Sequence, residues 1–101
     1  MPLSYIFDPV ARDEFNDAVD YYTAHGVQSA TQLVDAVEAA VRHLCEFPEA
    51  WPRVEGGIRR CPVEGYPYWL LYSHTAEQAT IMVVCHSSRE PAYWRERVKR
   101  R

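Results

Sequence analysis

Gly65-Tyr66-Pro67-Tyr68-Trp69-Leu70-Leu71-Tyr72 is followed, after a polar stretch from Ser73 to Ala79, by Thr80-Ile81-Met82-Val83-Val84-Cys85-His86. These two runs decide how the chain folds. The first holds four of the 13 aromatic residues. Aromatic and β-branched side chains suit a pleated, half-buried surface, and apolar runs of this length bounded by turn residues read as strands. The link is too short for a parallel crossover, so the two strands form an antiparallel hairpin. That hairpin is expected at the centre of a sheet.

Upstream, Ile58-Arg59-Arg60-Cys61-Pro62-Val63 reads as a further strand. Pro62 has no donor and belongs at its edge, end or bulge. Near the start, Leu3-Ser4-Tyr5-Ile6-Phe7 alternates weakly and stops at Asp8-Pro9, giving a short first strand. Asp8 is placed to cap a helix that Pro9 opens. Ala11, Phe15, Ala18, Val19 and Tyr22 then recur on one helical face, and Gly26 is expected to close that helix in a left-handed conformation. The second helix presents Leu33, Val37, Ala40 and Leu44, with Ser29 and Gln32 in the form of a capping box. It ends before Pro48 and Pro52. So short a link makes the two helices antiparallel neighbours. A last helix is expected from Ala92 to about Lys99, its basic end matching the helix dipole.

The order is β-α-α-β-β-β-α. It describes a single α+β domain over residues 1–101, with an antiparallel sheet packed against an N-terminal helical hairpin.

Composition narrows the function. At 101 residues, 48% apolar and 25% charged, the chain has room for one core. No run approaches the length of a membrane span. Met1–Asp8 has neither the basic region nor the apolar run of a signal peptide, so a cytoplasmic location is expected. Cys45, Cys61 and Cys85 have no metal-ligand spacing and read as buried thiols. No metal and no cofactor is expected. The net charge of −3 divides unevenly: residues 1–56 carry three basic and ten acidic side chains, residues 57–101 eight and four. An acidic front and a basic back suit partners of opposite charge. The acidic total argues against a general nucleic-acid binder.

Chemistry could reside in two places. Arg59 and Arg60 are strand neighbours and point to opposite faces. One can present a fork to phosphate or carboxylate, or both can serve as surface partners of acidic helices. The second is His86-Ser87-Ser88-Arg89-Glu90-Pro91-Ala92-Tyr93-Trp94-Arg95-Glu96-Arg97. Histidine and tyrosine could act as base and acid there, and arginine could stabilise a charged phosphorane. Alternatively, Tyr93 and Trp94 anchor the last helix while the arginines remain solvated. Tyr21 or His25 is expected to be exposed and Tyr22 to be core, and His43 and His74 read as surface residues.

Phe7-x-Pro9-x-Ala11, Tyr21-Tyr22, Ala30-x-x-Leu33, Leu44, Pro48, Arg59-Arg60, Tyr66-Pro67-Tyr68, Leu71-Tyr72 and His86-x-x-Arg89-x-Pro91-x-Tyr93-Trp94-x-x-Arg97 together resemble the ParE toxins. These belong to the RelE/ParE superfamily of type II toxin–antitoxin modules. The resemblance implies a toxin neutralised by a ParD-like antitoxin whose disordered end folds onto the helical hairpin and sheet. RelE-like members cut messenger RNA in the ribosome, whereas ParE-like members are associated with poisoning DNA gyrase. On a nuclease reading, the residues concerned would be Arg59, Arg60, His86, Arg89 and Tyr93. On the leading, gyrase-binding reading, the contact surface would comprise Arg59, Arg60, Arg89, Trp94 and Arg97. With Lys99 as its single lysine, the chain lacks the lysine cluster of the nucleases. A non-toxic antitoxin-binding module is the third reading.

Overall fold

The computed structural model describes residues 2–99. Arg100 and Arg101, part of the predicted basic tail, lie outside the described residues. The elements run β1 (Ser4–Phe7), α1 (Pro9–Thr23), α2 (Val27–Glu46), β2 (Arg53–Glu55), β3 (Ile58–Pro62), β4 (Tyr68–His74), β5 (Gln78–His86) and α3 (Ala92–Lys99). One five-stranded sheet has the order β1-β5-β4-β3-β2. The expected hairpin is β4–β5, and β5 lies near the middle of the sheet.

Two features extend the expected architecture. β2 is an additional three-residue strand, paired with β3 across Gly56-Gly57. Arg-Val-Glu is too short and too charged to announce a strand; the turn and its neighbour hold it there, together with Val54 packed on the core beneath α3 and Glu55 paired with Arg95 at 3.3 Å. In addition, β1 pairs with β5 in parallel, Phe7 opposite Ile81, so the sheet is mixed. A short turn forces antiparallel pairing only on strands it joins. β1 and β5 are separated by most of the chain, and the packing of α1 and α2 between them sets their relative direction.

The helix ends depart from the expected caps. Asp8 is the N-cap of α1 with Pro9 in the first turn, but its carboxylate makes no capping hydrogen bond. α2 starts at Val27 with Gly26 as its N-cap, so Ser29 and Gln32 lie inside the helix and form no capping box. Gly26 has φ 125° and ψ 144°. It is the hinge into α2, not a left-handed cap on α1, whose C-cap is Ala24. Only a residue without Cβ adopts that φ readily.

Alternation along β4 and β5 divides the interior in two. On one face, Leu70, Tyr72, Ala79, Ile81 and Val84 pack against Ala11, Phe15 and Ala18 of α1 and Leu33, Val37 and Leu44 of α2. On the other, Leu71, Met82, Val83 and Cys85 pack against Trp94 and Val98 of α3. The register explains why Met82 and Val83, adjacent in sequence, share a face. Leu71 is opposite Val83 and Tyr72 opposite Ile81, leaving Met82 as the extra residue of a bulge. All three cysteines are free and buried. Burial pushes the Cys61 thiol up to about 12 and, as the largest influence, Cys85 to about 11. Both are inert thiols.

Candidate functional site

The site begins where β1 stops. β1 covers the edge of β5 as far as Ile81, whose carbonyl accepts the Asp8 amide at 2.9 Å. β5 then continues to His86 without a neighbouring strand on that side. Backbone groups on an open edge need partners, and two side chains from opposite faces of the sheet supply them. Glu14 of α1 accepts the Val84 amide on Oε1 at 3.0 Å. Arg97 of α3 donates Nη2 to the Met82 carbonyl at 2.8 Å.

The two side chains also hold each other. Arg97 Nη1 lies 2.7 Å from Glu14 Oε2 and Nη2 3.2 Å from Oε1, a two-pronged pair. The Tyr93 hydroxyl donates to the same carboxylate. Glu14 therefore receives hydrogen bonds from a strand, a guanidinium and a phenol. Burial alone would lower the Arg97 pKa, but the hydrogen bonds and charge of Glu14 outweigh it and hold the guanidinium above its ordinary value. Burial first, then the bond to Glu14, raises the Tyr93 phenol.

Sequence reasoning does not single out Glu14. The signal that would have found it is positional. It lies three residues after Ala11 and four before Ala18, on the stripe that the helix buries. A carboxylate there requires a cationic or hydrogen-bonding partner.

Beside this junction a cleft of about 200 Å³ is lined by residues including Glu14, Asp17, Tyr21, Tyr68, His86, Arg89 and Tyr93. The fold thus brings His86, Arg89 and Tyr93 together and adds two carboxylates. Arg89 lies on the Tyr93 ring, 4.5 Å from its centroid. His86 Nδ1 accepts the Ser88 amide at 3.1 Å. A backbone N–H can only donate, so the neutral imidazole carries its proton on Nε2. In that form its one basic lone pair, on Nδ1, is engaged by the Ser88 amide.

The remaining predicted residues lie elsewhere. Arg59 Nη1 donates to the carbonyls of Trp51 at 2.7 Å and Glu49 at 3.3 Å, pinning the loop after α2. Its cross-strand partner Tyr72 donates to the Pro48 carbonyl of the same loop at 2.7 Å. Arg60 stacks on Trp69 at 4.2 Å. Trp94 is buried against the sheet.

Tyr22 packs on the core while Tyr21 is exposed. Tyr22 touches Tyr66 and Tyr68 edge-on, with centroids 5.5 and 6.4 Å away, so the aromatics of α1 and of the segment entering β4 make one wall beside the cleft. His25 and His43 are exposed; His74 is half-buried. Among the described residues no three His, Cys, Asp or Glu side chains gather as a metal site.

Comparison with known proteins agrees with the resemblance drawn from the sequence. No curated protein matches the chain. The solved structure described as "Chromosomal ParDE TA system from P. aeruginosa" superimposes with a TM-score of 0.72. The match covers 83% of this chain and 95% of that one, at 17% identity, and so establishes the fold. A family profile described as "ParE toxin of type II toxin-antitoxin system, parDE" matches residues 5–91. By that match, the chain belongs to the ParE toxin family of type II toxin–antitoxin systems.

Proposed function

We propose that this protein is a cytoplasmic toxin that arrests growth by binding a protein target, DNA gyrase, and that a cognate ParD-like antitoxin neutralises it. The observation carrying this reading is the engagement of Tyr93 and Arg97 with Glu14. A tyrosine bonded to a carboxylate and an arginine neutralised by it are poorly placed to move protons or hold phosphate. The cleft's other carboxylate, Asp17, would repel an RNA backbone. The antitoxin would meet an acidic helical hairpin and a more basic sheet end, favouring a segment of complementary charge. Among the described residues no helix is long and apolar enough to cross a membrane.

A second reading, ribosome-dependent RNA cleavage, is favoured by the meeting of His86, Arg89 and Tyr93 in one cleft. Two assays separate the readings: gyrase supercoiling, and primer extension on message in a translation reaction. Inhibited supercoiling with intact message is expected. Cleaved message with normal supercoiling would overturn the proposal.

A further inference from the structure

The exposed end of β5 is an unfinished strand pair. Glu14 takes the Val84 N–H away from β4, and a strand residue's N–H and C=O point to the same side. The Val84 carbonyl therefore faces the open edge, as does the His86 N–H two residues on. These are the two groups that one residue of an added parallel strand would engage, and β1 already pairs with β5 in that sense.

Charge and shape define the occupant. α1 packs on one sheet face and α3 on the other, so the cleft beside this edge has a wall from each. Asp17 and Tyr21 belong to the α1 wall, Arg89 and Tyr93 to the opposite one. Among the described residues Arg89 has an aromatic face and no carboxylate partner, and Asp17 has no cation. Adjacent residues of an extended chain point to opposite faces. A segment with neighbouring basic and acidic residues would direct one towards Asp17 and the other towards Arg89. Tyr21, 60% exposed, would cover it with little entropy loss.

We infer that the Val84–His86 edge accepts an extended segment of a partner protein as an added strand, read by Asp17 and Arg89 through one basic and one acidic side chain at adjacent positions. This rests on the reading that the toxin works by binding proteins, and it names the surface and the chemistry of what binds.

The test is amide chemical-shift mapping of the full chain with three blocked hexapeptides, Thr-Val-Lys-Glu-Val-Thr and its Lys-Lys and Glu-Glu counterparts. Saturable shifts at Val84, Cys85 and His86 are expected, with the Lys-Glu peptide bound about tenfold more tightly than either like-charge control, equivalent to about 1.4 kcal/mol. Asp17→Lys should transfer the preference to Glu-Glu, and Arg89→Glu to Lys-Lys. Absence of saturable shifts along this edge, or a preference that both reversals leave unchanged, would overturn the inference. Peptide binding without gyrase inhibition would remove the target but keep the surface. Gyrase inhibition without peptide binding would do the reverse.

Discussion

Glu14 and Arg97, 83 positions apart, meet across the uncovered edge of β5 and tie the first helix to the last. Their two-pronged contact closes a ring that also includes the Val84 amide and the Met82 carbonyl. The ring fixes where α3 lies, and with it the Arg89–Tyr93 wall of the cleft.

The strength of that tie is the first prediction. Side-chain exposures of 29% for Arg97 and 11% for Glu14 place the pair between exposed and fully buried ion pairs. Glu14→Ala should therefore cost on the order of 2 kcal/mol. Arg97→Ala should cost a similar amount, and the double variant clearly less than the sum, because neither partner is then left unpaired. Denaturant unfolding of the four proteins measures the coupling; strict additivity would mean that the two residues act independently.

A second prediction separates binding from chemistry. Tyr93→Phe removes the proton a nuclease would use but keeps the ring under Arg89. His86→Ala removes the imidazole. Growth arrest on induction should stay within about twofold of the parent for both variants, since the Tyr93 hydroxyl is engaged by Glu14 and the His86 lone pair by the Ser88 amide. Loss of arrest in Tyr93→Phe, with an unchanged circular dichroism spectrum, would favour cleavage.

The surface role of Arg89 gives a third. Arg89→Ala should weaken growth arrest without altering the fold, because the side chain is exposed and rests only on a ring. Trp94→Ala should also weaken it, through instability. Trp94 is buried among Leu71, Met82 and Val98, and truncating a buried aromatic costs about 3–5 kcal/mol. Circular dichroism melting distinguishes the two: an unchanged midpoint for Arg89→Ala and a large drop for Trp94→Ala.

These cases also show how far the sequence could be read. Periodicity and punctuation are local, and they located α1 at Pro9, α3 from Ala92 to Lys99, and the β4–β5 hairpin. The direction of β1 and the existence of β2 depend on distant packing and left no local trace. The site divides in the same way. His86, Arg89 and Tyr93 are close in sequence, and the fold brings them to one cleft. Arg59 and Arg60 stood out by charge, yet one ties down a loop and the other lies on Trp69. Glu14 was the hardest to read, because its meaning depends on α3, at the far end of the chain.

The last prediction concerns alkaline stability. Burial is the main reason the Tyr72 phenol is pushed up to about 12, with nearby Cys61 adding to it and Arg59 opposing. In the unfolded chain the same group titrates near 10. A raised folded-state pKa stabilises the protein while the group is protonated in both states, so the benefit is complete below about pH 10. It is lost as pH rises towards 12, because the unfolded chain releases the proton first. Two units correspond to about 2–3 kcal/mol. Tyr72→Phe should flatten the fall in stability between pH 10 and 12. At neutral pH the same variant should lose about 1 kcal/mol with the Pro48 hydrogen bond. Parallel denaturant midpoints for parent and variant across that pH range would show that another group governs alkaline unfolding.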